Sequence, residues 1–461
     1  MRPHTFFAFL AFIVSCLLAT TAFSQETVEL LIVGGHRFDT EQKVFLPNQS
    51  LAIRNGLIVG FDSPPEQFSA TKTLELEEDD YVLPGLIDCH AHYNVRLIKR
   101  RREEFEVMPI LYLANGATST FSCGEFAPEK MRELRLAIES GDQIGPHLIN
   151  SGPYFGRARP GWRQEKSEAE IRNEVDYWVE QGVGGFKAKA ISSTELKPLV
   201  EQAHKHGLTV TGHLGSGYRT SVNPRDAINL GIDRIEHFVG GDAMVGSKSA
   251  YDSLPEITRD QAGYTRAVQQ FIDTGTVFDA TLTAYGYPGL AKEEYEYWID
   301  ERQFFTDHMR SIVDQRGTSK PIDQFEQIYS AKLATIGTFF DMGGTLSLGT
   351  DHVSDGNYLP GFGVHRELDA FVRAGIPTVD ALLIATLNGA RALGIDETRG
   401  SIEIGKFADL CIIKGDPIKN IRNTRRVNLV VKQGTVYEAE KLLEAVKGKL
   451  GPSGAEEEGA W

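Results

Sequence analysis

Residues 206–213 read HGLTVTGH: a polar–apolar stretch closes on a glycine and a short β-rich run begins at once. Gly207 suits the left-handed residue that ends a helix, and the run after it is short enough for a buried parallel strand. The same punctuation recurs at Asn115-Gly116 before ATSTFSC, at Gln181-Gly182 before VGGFKAK and at Leu230-Gly231 before IDRIEHF. It returns at Thr274-Gly275 before TVFDATL and at Gly343-Gly344 before TLSLGTD. With VLPGLIDCHAH (82–92) and HLINSG (147–152), eight such runs are present. Helical stretches separate nearly all of them, and Ser167-Glu168-Ala169-Glu170 opens one as a capping box. Alternating strand and helix predicts an α/β fold, here a closed (β/α)8 barrel of the TIM type over residues 82–394. An open doubly wound sheet is the alternative.

The flanks read differently. Residues 25–81 hold VELLIVGG, SLAIRNGLIVGF and KTLELEE; residues 395–445 hold GSIEIGKFADLCIIKG and RRVNLVVKQGTVYE. Neither flank could bury much alone, so the two are expected to pair into one small β-sandwich domain. Residues 446–461, rich in Gly and Glu beyond Gly451, are expected to be a disordered tail. The stretches 238–275 and 285–324 exceed what barrel connections need, and read either as lids or as peripheral helices.

Arg2, the apolar run from Phe6 to Ala19 and Ala22-Phe23-Ser24 read as a signal peptide cleaved near Ser24, giving an exported (periplasmic or secreted) protein. An uncleaved anchor and a lipoprotein attached at Cys16 are the alternatives. No later stretch resembles a membrane span. Net charge is −15 over 461 residues, which argues against nucleic acid as a partner. Cys89, Cys123 and Cys411 are too few for a disulfide scaffold; Cys89 and Cys123 lie on neighbouring strands, so either that pair or three free thiols is expected.

Active sites of such barrels lie at the C-terminal strand ends. The first strand ends in His90-Ala91-His92, and residues two apart on a strand face one side. The fourth ends in Phe186-Lys187-Ala188-Lys189, the fifth in His213, the sixth in Glu236-His237, the eighth in Asp351. Four histidines, a lysine and an aspartate at one rim make a site for a borderline or hard metal ion, with no thiolate needed.

These motifs, PGLIDCHAH, FKAK, TGHLGSG, RIEHF and LGTDH in order, with ATLNGARALGI and GSIEIGKFADLCII downstream, resemble the amidohydrolase superfamily in its imidazolonepropionase-like and prolidase-like branch. The resemblance covers about residues 28–440. It implies two divalent metal ions, zinc by default with manganese, cobalt or iron as alternatives. His90 and His92 would bind one ion, His213 and His237 the other, and a carboxylated Lys187 would bridge them. Lys189 is the alternative bridging lysine. Asp351 would bind the first ion and act as general base and acid. The implied reaction is hydrolysis of an amide or peptide C–N bond by a hydroxide shared between the ions.

Carbamate formation needs a neutral amine, and burial is expected to push Lys187 towards that state. Tyr218 and Arg219 are candidates to hold a substrate carboxylate, which would favour dipeptides, Xaa-Pro substrates or N-acyl amino acids. Arg157 and Arg159 invite the same reading. Tyr285 and Tyr287 are placed to line the pocket, and His352 reads either as a substrate contact or as a packed histidine. Cyclic-amide hydrolysis or deamination on the same scaffold, and a non-catalytic binding protein, are the rival functions. A homo-oligomer is an implication of the resemblance alone.

Overall fold

The computed structural model describes residues 25–460 except 97–100, 163–164, 218–219, 245, 247, 259–260, 292–294, 296–297, 317–319 and 353–357. The proposed signal peptide with Cys16 and Ser24, and the pair Tyr218 and Arg219, therefore lie outside the described residues.

Eight parallel strands follow the eight runs read from the sequence. They are Leu86–Ala91, Ala117–Ser122, His147–Asn150, Gly185–Lys189, Thr209–His213, Arg234–Glu236, Val277–Asp279 and Leu346–Ser347, called here first to eighth. The first three form one sheet, in the order third, second, first; the last five form another in chain order. Backbone hydrogen bonds connect the sheets at both seams. Cys89 N–H donates to Leu348 C=O (2.8 Å) and Asp351 N–H to His90 C=O (2.9 Å). At the other seam Gly184 N–H donates to Asn150 C=O (2.9 Å) and Phe155 N–H to Lys187 C=O (2.8 Å). The first two strands are buried at every residue, which is why they read as unbroken apolar or small-residue runs.

A helix follows each strand, and its limits are set by local chemistry. Ser167 with Glu170 and Ser192 with Glu195 form capping boxes at Glu168–Glu180 and Ser193–Lys205. Ile171, Val175 and Trp178 then bury one face of the first of these. Gly207 and Gly275 close their helices at φ of 70° and 71°, where a side chain would be strained.

The run 82–92 is not one strand. Asp80–Pro84 belongs to a flank sheet and Leu86–Ala91 to the parallel one. Gly85 makes the transfer between them, because a Cβ there would lie 1.9 Å from the Thr118 hydroxyl.

The flanks form two sheets. Leu57–Phe61, Leu51–Arg54, Glu26–Val33 and Phe68–Glu75 make a four-stranded one. The other orders Thr435–Glu438, Val427–Lys432, Leu410–Lys414, Asp80–Pro84, His36–Asp39 and Val44–Pro47, so both ends of the chain build it. Leu30, Ile32, Ile53, Val82, Leu410 and Ile412 share one apolar cluster between them. Each such side chain contributes about 1.5–3 kcal/mol.

One expectation is corrected, and one alternative is settled in favour of free thiols. The tail is seated: Leu450 is fully buried, its N–H donates to Phe304 C=O (2.8 Å) and its C=O accepts from Thr306 N–H (3.0 Å). Glu458 pairs with His308 at 2.8 Å, so the apolar Leu450 and paired backbone anchor a stretch whose composition suggested disorder. Cys89, Cys123 and Cys411 are all buried free thiols. The described residues of the stretches 238–275 and 285–324 are largely short helices, and a buried ion pair of Glu301 with Arg366 anchors the second stretch. Among the described residues, no helix is long and apolar enough to cross a membrane.

Candidate metal centre

Strand ends bring the candidate residues together. His90 and His92 converge on one Asp351 oxygen, with Nε2–Oδ1 distances of 3.3 and 2.8 Å. His237 Nε2 lies 3.8 Å from the other Asp351 oxygen. The His213 and His237 rings stand edge to face at 4.2 Å between centroids, and the His90 and His237 rings lie tilted at 5.2 Å. His90, His92 and Asp351 thus offer ligand atoms to one point.

The backbone is bent to do this. His237 and Asp351 have φ of 68° and 44°, in a region that non-glycine residues rarely adopt. Hydrogen bonds hold both turns. His237 N–H donates to Asp279 C=O (2.9 Å), and the buried ammonium of Lys332 donates to His237 C=O. Thr281 Oγ1 sits 2.7 Å from His237 Nδ1, which leaves Nε2 as the inward-facing atom.

Three groups that the sequence reading did not assign join this cluster: Cys123, Glu236 and Asp279. Glu236 accepts from Thr211 Oγ1 (2.7 Å) and from the Cys123 thiol (3.0 Å). His90 Nδ1 lies 3.7 Å from both Glu236 and Asp279. His90, Cys123 and Glu236 form a second group able to hold a metal, which puts a thiol beside ligands that need none. The signal was present: Glu236 precedes His237, and Asp279 ends its strand.

Lys187 is fully buried and its ammonium contacts Glu236 and, at 3.2 Å, Cys123. Burial by itself disfavours the charge, but Cys123 and Glu236 outweigh it and hold the amine above its ordinary range. The expected drift towards a neutral amine is therefore corrected: an acid partner sits where the sequence showed only an apolar approach. Lys189 lies one step further along the strand and does not share this contact.

The other protonation states suit a cation. Burial pushes His92 down to about 4 and His213 and His237 well below the usual imidazole range, leaving lone pairs free. Burial opposes charge on Asp351, yet charged His90 and hydrogen bonds from His90 and His92 hold it well below the usual carboxylate range. His90 Nδ1, His237 Nε2 and both Asp279 oxygens are buried without a hydrogen-bond partner. His237 Nε2, the Asp279 oxygens and ionised Asp351 fit a bound metal; His90, held protonated against burial by Cys123, Glu236 and Asp351, would give up its proton to one.

The remaining candidates lie around this centre. His352 is fully buried, 5.2 Å from Tyr287 and 6.5 Å from Tyr358 between ring centroids, with neither nitrogen hydrogen-bonded among the described residues; its place is in an aromatic packing cluster. Tyr285 stands edge-on to His237 at 6.4 Å between ring centroids. Arg159 pairs with Glu174 on a helix, and Arg157 bonds Thr220, so both have structural partners.

A model of the amidohydrolase family matches residues 81–246 and 325–437. The N-acetylglucosamine-6-phosphate deacetylase of Bacillus subtilis (strain 168) is 22% identical over 415 residues, covering 84% of this chain and 94% of that one. A 5-methylthioadenosine/S-adenosylhomocysteine deaminase of Desulfitobacterium hafniense is 24% identical over 387 residues, 81% of each chain. Among solved structures, a Xaa-Pro dipeptidase with methionine bound in its active site superposes with a TM-score of 0.66 at 22% identity, covering 89% of this chain and 99% of that one.

Proposed function

As the chain belongs to the amidohydrolase family and is a hydrolase of C–N bonds, we propose that it falls in the prolidase-like branch, whose fold it shares, and cleaves an amide or peptide bond in a dipeptide, an Xaa-Pro substrate or an N-acyl amino acid. The convergence of His90, His92 and Asp351 on one point, beside His213 and His237, carries this reading. We read the two parallel sheets as one eight-stranded barrel, since backbone hydrogen bonds run between them at both seams.

His90, His92 and Asp351 would hold one divalent ion and His213 with His237 a second, zinc by preference. Such ions supply an acidified water and polarise a carbonyl. Asp351 takes the proton from the attacking water and returns it to the leaving nitrogen, without which an amine leaves poorly. Asp351 is held ionised, so it carries no proton of its own when water binds. Thr281 holds the His237 ring, and the left-handed turn at Asp351 aims the carboxylate. Lys187 as a carbamate would bridge the two ions. The residues before 25 are proposed to direct export.

One observation favours a second reading. The contact of Lys187 with Glu236 occupies the lysine, which suits a single-metal centre of the deaminating or cyclic-amide type. Metal content per chain, on protein purified without chelator, separates the two: near two equivalents supports the bridged centre, about one the alternative. Replacing Asp351 by Asn is expected to abolish turnover with the fold retained, and full activity in that variant would sink the proton-transfer role.

A further inference from the structure

Among the described residues, the cation of Lys189 has no counterion. Lys189 ends the fourth strand, pairs in register with His213, and its N–H donates to Phe155 C=O at 2.9 Å. Residues two apart on a strand face one side, so its side chain rises from the same face as Lys187, about 6–7 Å nearer the mouth of the site. Lys187 spends its charge on Glu236 and Cys123. Lys189 does not: among the described residues its ammonium has no hydrogen-bond acceptor and no carboxylate within ion-pair distance, only the Tyr154 ring at 5.5 Å.

Tyr154 is in the same condition. It is 2% exposed, and its hydroxyl has no partner among the described residues. Its ring is fixed in place, because a Cβ at Gly124 would lie 2.1 Å from it and Phe126 packs at 5.4 Å. A half-buried cation and a buried phenol, both donors and both unpaired, stand on adjoining strand ends beside His213. Holding such groups out of water is costly unless something accepts from them.

We propose that Lys189 and Tyr154 hold the free carboxylate of the substrate, which makes Lys189 a specificity-determining residue and restricts the enzyme to amides that carry an anion close to the scissile bond. This rests on the amide-hydrolase reading above. The class is N-acyl amino acids and short peptides with a free C-terminus. A carboxylate accepts from both donors at once and supplies the charge that Lys189 lacks. Esters or amides of the same acids would leave the lysine unpaired.

Binding and turnover are measured with one pair of probes, N-acetyl-L-methionine and its C-terminal amide, on metal-loaded protein. Calorimetry on the wild type is expected to give at least tenfold tighter binding of the acid. Lys189→Met should erase that preference, while Lys189→Arg, which keeps the charge, should retain most of it. Tyr154→Phe should reduce it by a smaller factor. Equal or undetectable binding of the two probes by the wild type overturns the proposal, as does a Lys189→Met protein that still prefers the acid or loses both probes equally. If the acid binds with a Lys189-dependent preference and is never hydrolysed, the carboxylate site stands and the reading of N-acyl amino acids as substrates falls.

Discussion

Asp88 grips Thr350 twice, accepting from its backbone N–H at 3.0 Å and from its hydroxyl at 2.7 Å. The same carboxylate accepts from His90 N–H at 3.0 Å. One buried side chain thus fixes the ends of the first and eighth strands, and with them His90 and Asp351. Burial pushes the carboxyl up to about 6 in spite of these three bonds, so it is ionised at neutral pH. Asp88→Ala leaves three donors unpaired and is expected to cost about 3 kcal/mol in chemical denaturation, together with loss of metal. Asp88→Asn keeps an acceptor and should cost nearer 1 kcal/mol. Equal costs for the two variants would contradict a hydrogen-bonding role.

Lys187 sets a second expectation. Its amine is held charged by Cys123 and Glu236, whereas a carbamate forms only on a neutral amine. Chelated protein should therefore regain metal and activity faster with added bicarbonate, because carbon dioxide must capture the lysine while the ions draw Glu236 and Cys123 away. Lys187→Met should lose about half of the bound metal and all bicarbonate dependence. Reactivation at one rate with and without bicarbonate would leave Lys187 as an ion-pair residue.

His147, the first residue of the third strand, makes a pH-dependent contribution away from the metal centre. Burial, and then the positive charges of Arg399, Lys432 and Arg135, push its imidazole down to about 3. The unfolded chain takes up the proton near 6.5, before the folded one does, so folded stability falls as pH drops below that value. The loss from this residue is about 2 kcal/mol between pH 7 and pH 5. Denaturation at both pH values should show that difference in the wild type and a smaller one in His147→Gln. Parallel pH dependence in the two proteins would place the acid sensitivity elsewhere.

Much of the α/β order was legible because its signals are local. A glycine closing a helix and a short apolar run after it depend only on neighbours in the chain, and all eight runs hold a strand. The pairing of His90 with His92 follows from strand alternation in the same way. What the sequence hid is pairwise and distant. Cys123 meets Glu236 across 113 positions and Glu236 meets Lys187 across 49, contacts that no periodicity encodes. The charge state of Lys187 depends on those partners, so burial alone misjudged it. Gly85 cut the first run because Thr118 stands opposite. The tail read as disordered from composition, while buried Leu450 and the Glu458–His308 pair anchor it.

The most direct test is hydrolysis of a panel of dipeptides, Xaa-Pro substrates among them, and N-acyl amino acids, followed by release of free amino acid before chelation, after chelation and after readdition of zinc. The account predicts cleavage of at least one member, lost on chelation and restored by the metal. Full activity in metal-free protein would contradict the central role of His90, His92 and Asp351. Metal-loaded protein that cleaves no member, but releases ammonia or opens a cyclic amide, would contradict the choice of substrate.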